Sequence, residues 1–170
     1  MRSMRWIIFA AVCFILAPAL TQARDVNVGP EEKIATVSFP DSWKVSGTKR
    51  GVQAKSPDDE VYVWIETVPD AEINTLQKEH NDYFAKQGVT MKEAPVNGKE
   101  VDGHKWAFIE PKATWKDKPT VIRYIVINPG HPSGKTIVFT YWASPEGDKN
   151  YDAEMNKALE SLRASLNTRT

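Results

Sequence analysis

Residues 61–68, VYVWIETV, are β-branched or aromatic at nearly every position. A strand apolar on both faces is a central strand covered from two sides. The rest of the chain must therefore supply two covering layers. Two segments have the pattern to do so. From Asp70, placed as a helix cap, to Gly88, placed as its stop, the residues Ile73, Leu76, His80, Tyr83 and Phe84 recur at helical spacing. Between about 148 and 166, Tyr151, Met155, Leu159, Leu162 and Leu166 do the same.

Further strands are expected at 35–39, where Ala35, Val37 and Phe39 alternate with polar residues, and at 104–111, 120–127 and 135–143. The gaps near 112–119 and 128–134 are short and rich in Pro, Gly, Lys and Asp. Parallel neighbours would need crossovers of about a dozen residues or more. These gaps predict hairpins. The fold class is thus α+β, an α/β/α sandwich with a central, mainly antiparallel sheet and two amphipathic helices.

The chain opens with Arg2 and Arg5, then WIIFAAVCFILA over 6–17, then Pro18 and small residues up to Thr21-Gln22-Ala23. Basic, apolar and small segments in that order define a secretory signal peptide. Its apolar run is shorter than the roughly 20 residues of a spanning helix. Residues 1–23 are expected to be removed, with Ala19 as a second cleavage position. Residues 24–33 would form a short N-terminal segment, and 34–170 a single domain. No stable membrane insertion is expected after cleavage, and a periplasmic or secreted location follows. Of 22 basic residues two lie in that leader, which has no acidic ones, so 20 remain against 22 acidic and the formal charge is −2. That balance gives no basic footprint for nucleic acid. The only cysteine, Cys13, leaves with the leader. No disulfide or thiol chemistry remains, and the core alone must hold the domain.

The corner Phe39-Pro40-Asp41-Ser42-Trp43, Gly51 shortly after it, a strand then a helix, a strand meander and a closing helix ending ALESLRASL (158–166) resemble the Mog1/PsbP-like group. The resemblance spans roughly 34–166. It implies an α/β/α sandwich and members that act mostly by binding other proteins, with no catalytic motif to carry over. Read from the residues alone, the corner is a structural device. Pro40 cannot donate to a sheet ladder and ends its strand, and Trp43 folds back to plug one end of the core.

Other stretches lack the context their chemistry needs. NPGHPSGKT (128–136) has its upstream glycine, Gly130, one residue too close to Gly134 for a phosphate loop, and a strand follows where a helix is required. Asp148 to Asp152 resembles half a calcium loop, but Ala153 and Leu159 stand where glycine and glutamate are needed. His80, His104 and His131 share no metal-pair spacing. His80 is the unusual one, on an otherwise apolar helix face. No catalytic residue, cofactor or metal site is expected.

Trp115 is the single candidate partner-binding residue. It stands among Lys116, Asp117 and Lys118 at a strand end, where it either projects from a turn with its tip in water or packs back on a strand neighbour. Exposed aromatics amid charge are typical of interface hot spots. The leading expectation is an exported, non-enzymatic binding module that contacts a protein partner in the cell envelope. One alternative is a carrier or sensor of a small apolar or aromatic ligand in a helix–sheet cleft, using Tyr62, Trp64 or Trp106. Another is a hydrolase using acidic residues. An apolar pocket with a few polar groups would favour the carrier; paired carboxylates with perturbed pKa values would favour the enzyme.

Overall fold

The computed structural model describes residues 22–29 and 31–167. The first strand, β1 (Ala23–Val28), pairs antiparallel with β2 (Ala35–Pro40) in a separate two-stranded ribbon. The expected leader lies outside the described residues except for Gln22 and Ala23, and Ala23 pairs with Pro40. The segment 24–33 is therefore more than an appendage, because most of it is strand and turn of this ribbon.

A chain reversal at Pro40–Trp43 leads into β3 (Lys44–Gly47), β4 (Gly51–Lys55) and β5 (Val61–Pro69). One tight helical turn over Asp70–Glu72 precedes α1 (Ile73–Lys86), and β6 (Val89–Met91) follows. Then come β7 (Asn97–Val101), β8 (His104–Ile109), β9 (Lys112–Trp115), β10 (Lys118–Asn128), β11 (Lys135–Ala143) and α2 (Pro145–Asn167). The larger sheet runs β3-β4-β5-β11-β10-β8-β7, with β9 on the first half of β10 and β6 beyond β9. Every pairing is antiparallel. The expected sandwich is the one observed.

Strand alternation sends two sets of side chains to opposite faces. Val61, Val63 and Ile65 of β5 with Ile137, Phe139 and Tyr141 of β11 join Met155, Ala158, Leu162 and Leu166 of α2 in the larger core. The ribbon closes the same core with Val37 and Phe39. Its outer edge is not left bare. The backbone N–H groups of Thr36 and Ser38 donate to the hydroxyls of Ser165 and Ser161, one turn apart on α2. On the other face, Leu76 packs with Val68 and Val138, and Phe84 packs with Val89 and Ile122.

Trp43 is fully buried. Its ring lies 5.6 Å from Phe39 and edge-on to Tyr151 at 5.5 Å, and its indole N–H donates to Glu154 Oε2 at 2.6 Å. Asp70 corrects an expectation. It does not cap α1, because its carboxylate accepts the Thr136 hydroxyl at 2.6 Å, and α1 has no side-chain cap. Gly88 does stop the helix, with φ at +80°. The 128–134 loop is a hairpin turn with Gly130 and Gly134 at positive φ. Asp148 lies in the first turn of α2, held by Arg123 and by the Tyr141 hydroxyl.

Candidate functional site

A 14-residue helix cannot cover one whole face of a nine-stranded sheet. α1 lies across the middle and leaves a hollow on either side. Toward β4 and β5 the hollow is aromatic and polar, about 460 Å³, and lined by Arg50, Gln53, Lys55, Tyr62, Trp64 and Tyr83 among others. Toward β8 and β10 it is mostly aliphatic and about 710 Å³. His80 borders both.

The aromatic side is organised by register. Tyr62 on β5 stands opposite Trp142 on β11, and Lys55 on β4 stands opposite Tyr62. The Lys55 ammonium sits 4.8 Å from the Tyr62 ring centre. Tyr62 lies 5.6 Å from Trp142, Trp142 meets Trp115 edge-on at 6.1 Å, and the Lys116 ammonium sits 4.7 Å from the Trp115 ring. Three rings thus run in a row with a cation at each end. Among the described residues neither ammonium has a carboxylate within salt-bridge distance. Trp64 lies beside Tyr62 at 6.3 Å, and Tyr83 meets Trp64 edge-on, widening the row toward α1.

Trp115 has two attachments that its sequence position does not disclose. It is 41% exposed, and its indole N–H donates to the Gln87 carbonyl at the end of α1, at 2.9 Å. It also pairs with Lys118 and with Val89. The turn itself is only Lys116-Asp117, both at positive φ, the mirror-image two-residue hairpin. The expected short hairpin is present, and Trp115 combines the two expected placements, partly exposed and packed edge-on against Trp142 of a neighbouring strand. Trp115 presents one part of its ring to solvent and uses the rest to lock the hairpin to α1.

Behind the row lies a buried charge network. Glu66, 7% exposed, accepts Arg50 Nε at 3.0 Å, and its other oxygen lies 2.6 Å from His80 Nε2. A carboxylate only accepts, so that imidazole nitrogen carries the proton. His80 Nδ1 lies 3.3 Å from the Thr140 hydroxyl, and the ring stacks on Tyr124 at 6.2 Å. Burial is the largest single influence on Glu66 and pushes its carboxyl up, but the bonds and charges of His80 and Arg50 together outweigh it and hold the carboxyl below its ordinary value. A depressed carboxyl stabilises the fold above its unfolded value of about 4.3, and that stability is lost as pH falls toward the folded value. Urea titrations between pH 7 and 3 should show stability falling below about pH 4.5, more steeply for the wild type than for Glu66→Gln. Equal slopes would contradict the network.

The helix–sheet cleft expected from the sequence would use Tyr62, Trp64 or Trp106. Tyr62 and Trp64 do border the smaller hollow. Trp106 does not. It is buried on the opposite face, stacked on Phe108 in the core under α2. Among the described residues no three His, Cys, Asp or Glu side chains gather into a metal site, and no helix is long and apolar enough to cross a membrane.

This combination of ribbon, antiparallel sheet and two covering helices is a PsbP-like fold. The solved cyanobacterial PsbP (CyanoP) from Synechocystis superposes with a TM-score of 0.60 at 9% identity, covering 89% of this chain and 96% of that one. A Pseudomonas aeruginosa protein of unknown function aligns over 82% of this chain and 95% of its own at 12% identity, with a TM-score of 0.41. No family model matches the sequence, and no curated protein does either.

Proposed function

We propose that the protein is an exported, non-enzymatic binding module that holds a protein partner in the cell envelope on the aromatic row of its α1 face. One observation carries the reading: Lys55, Tyr62, Trp142, Trp115 and Lys116 form a continuous cation–ring–ring–ring–cation row. Aromatic residues are enriched at interfaces, and they are the commonest hot spots. Among the described residues the ammonium groups at its ends lack carboxylate partners, so the complementary surface is an acidic segment with an aromatic or aliphatic anchor. The leader-like N-terminus supports a periplasmic or secreted location. The non-enzymatic part of the reading is supported by Glu66, the buried carboxylate among the described residues, being tied to Arg50 and His80 rather than set against a second acid.

Trp115→Ala removes both the anchor and the bond to Gln87. It should lower stability by about 1–2 kcal/mol, one hydrogen bond plus part of a ring contact, and weaken partner capture by about 2 kcal/mol or more. Stability falling while capture stays at the wild-type level would confine Trp115 to folding. Lys55→Glu with Lys116→Glu separates the two effects, because both are surface cations whose exchange leaves the core untouched. Pull-down from the native envelope fraction should lose the partner with this double variant and lose it progressively in salt with the wild type. Capture unchanged in both respects would end the reading.

A further inference from the structure

The aliphatic hollow on the far side of α1 takes no part in the aromatic row and has its own chemistry. Its floor is Val126 and Val138 of the sheet, its helix wall includes Leu76 and Ala85, and Met91 faces them from β6. At about 710 Å³ it lies within the size range of small-molecule sites, which are concave, mainly apolar and provided with a few polar groups.

Among the described residues, several polar side chains on its lining have no hydrogen-bond partner. Gln77 and Asn81 are four residues apart on α1, and both carboxamides border the hollow. Tyr124 lines it too, and its hydroxyl is buried without a partner. Buried polar groups are nearly always paired, and an acceptor brought by a ligand is the partner the chain itself lacks. Burial pushes the Tyr124 hydroxyl up to about 12, so it remains a neutral donor.

The charged lining residues, Lys92 and Glu93, cancel, so the hollow carries no net charge to favour a head group of either sign. His80 is already tied to Glu66 at 2.6 Å. Lys92 and Glu93 on the rim are neighbours of opposite sign. A charged head group drawn into this hollow would be desolvated beside a cation and an anion together, which leaves little net compensation.

We propose that this hollow is a binding site for a small, uncharged, mainly apolar molecule with a hydrogen-bonding end group, the apolar body lying on Val126, Val138, Leu76 and Met91 and the end group meeting Tyr124, Gln77 or Asn81. The proposal is separate from the protein-partner reading and stands or falls without it.

Calorimetric titration with three ten-carbon probes tests it: 1-decanol, decanoate and decyltrimethylammonium. Decanol should bind saturably at one site, at least about tenfold more tightly than either charged probe, as expected for a site that cannot pair a charge. Ala85→Trp, at an exposed helical position on the hollow's wall, should abolish that binding while the melting temperature stays near the wild-type value. Tyr124→Phe should weaken it about five- to tenfold, the loss of one hydrogen bond, without lowering the melting temperature. The absence of saturable decanol binding would overturn the site. Equal or tighter decanoate binding would overturn its neutral character. Undiminished binding by folded Ala85→Trp would overturn its location, and by Tyr124→Phe the role of the hydroxyl.

Discussion

Trp43→Ala is expected to cost about 3–5 kcal/mol of stability, the range for deleting a large buried aromatic. The indole is 1% exposed and fixed from three sides. Phe39 packs against it, Tyr151 meets it edge-on, and Glu154 accepts its N–H. Its own carbonyl accepts Arg24 at 2.8 Å, so the same residue pins β1 to the start of the main sheet. Alanine leaves a cavity between the ribbon and α2, and neither can collapse into it while Ser161 and Ser165 hold the β2 edge. Trp43→Phe should recover part of the loss, because it refills much of the volume without the N–H. Chemical denaturation measures both. A loss below about 1 kcal/mol for the alanine variant, typical of surface positions, would contradict the buried corner.

Gly51→Ala should be at least as damaging, about 4 kcal/mol or more, at the exceptional end for single substitutions. A Cβ at position 51 would stand 2.0 Å from the carbonyl oxygen of Ile65 and 3.1 Å from the Cα of Glu66. Both obstacles are backbone of the central strand β5, so no side chain can turn aside to make room. Glycine inside a strand often marks such a close approach of another backbone. Relief would require β4 to separate from β5 just where Arg50 reaches Glu66. The variant should either fail to accumulate as folded protein or melt far below the wild type. Wild-type melting would mean that β4 does not approach β5 as described.

The long apolar elements were legible before any coordinates. The expected strands at 61–68, 120–127 and 135–143 became β5, β10 and β11, lengthened by at most one residue at an end except for the polar extension Lys118-Pro119, and both helices lie where their apolar stripes put them. Burial on both faces makes such segments conspicuous. The strands that escaped are short, whether at an edge like β7 or inside the sheet like β4. All of β7 is exposed except Val101, and its sequence NGKEV has no alternation to detect. One signal was available there: Asp102-Gly103, both at positive φ, is the dipeptide favoured in two-residue hairpins and joins β7 to β8. Asp70 misled because a carboxylate before a helix reads as a cap, whereas a tertiary partner, Thr136, claims it.

The site was legible only in unconnected pieces, Trp115 as a partner contact and Tyr62 as a cleft residue. Trp115 drew notice for its charged neighbours, but Tyr62, Trp142 and Lys55 are scattered over 88 positions and meet through the β4–β5–β11 register. A one-residue slip would send each of them to the opposite face. No local pattern could have specified that alignment. His80 is similar. Its place on an apolar helix face marked it as unusual, but Glu66 and Arg50 come from other strands and loops.

Site-specific photo-crosslinking in the native envelope tests the central claim most directly. A photoreactive residue is placed at Lys116, at one end of the aromatic row, and as a control at Lys157, an exposed position of α2 on the opposite side of the sheet. The account expects a discrete crosslinked partner from position 116 and none from 157, with the captured segment rich in Asp and Glu around an aromatic or aliphatic residue. Crosslinking confined to 157, or a basic segment captured at 116, would contradict it.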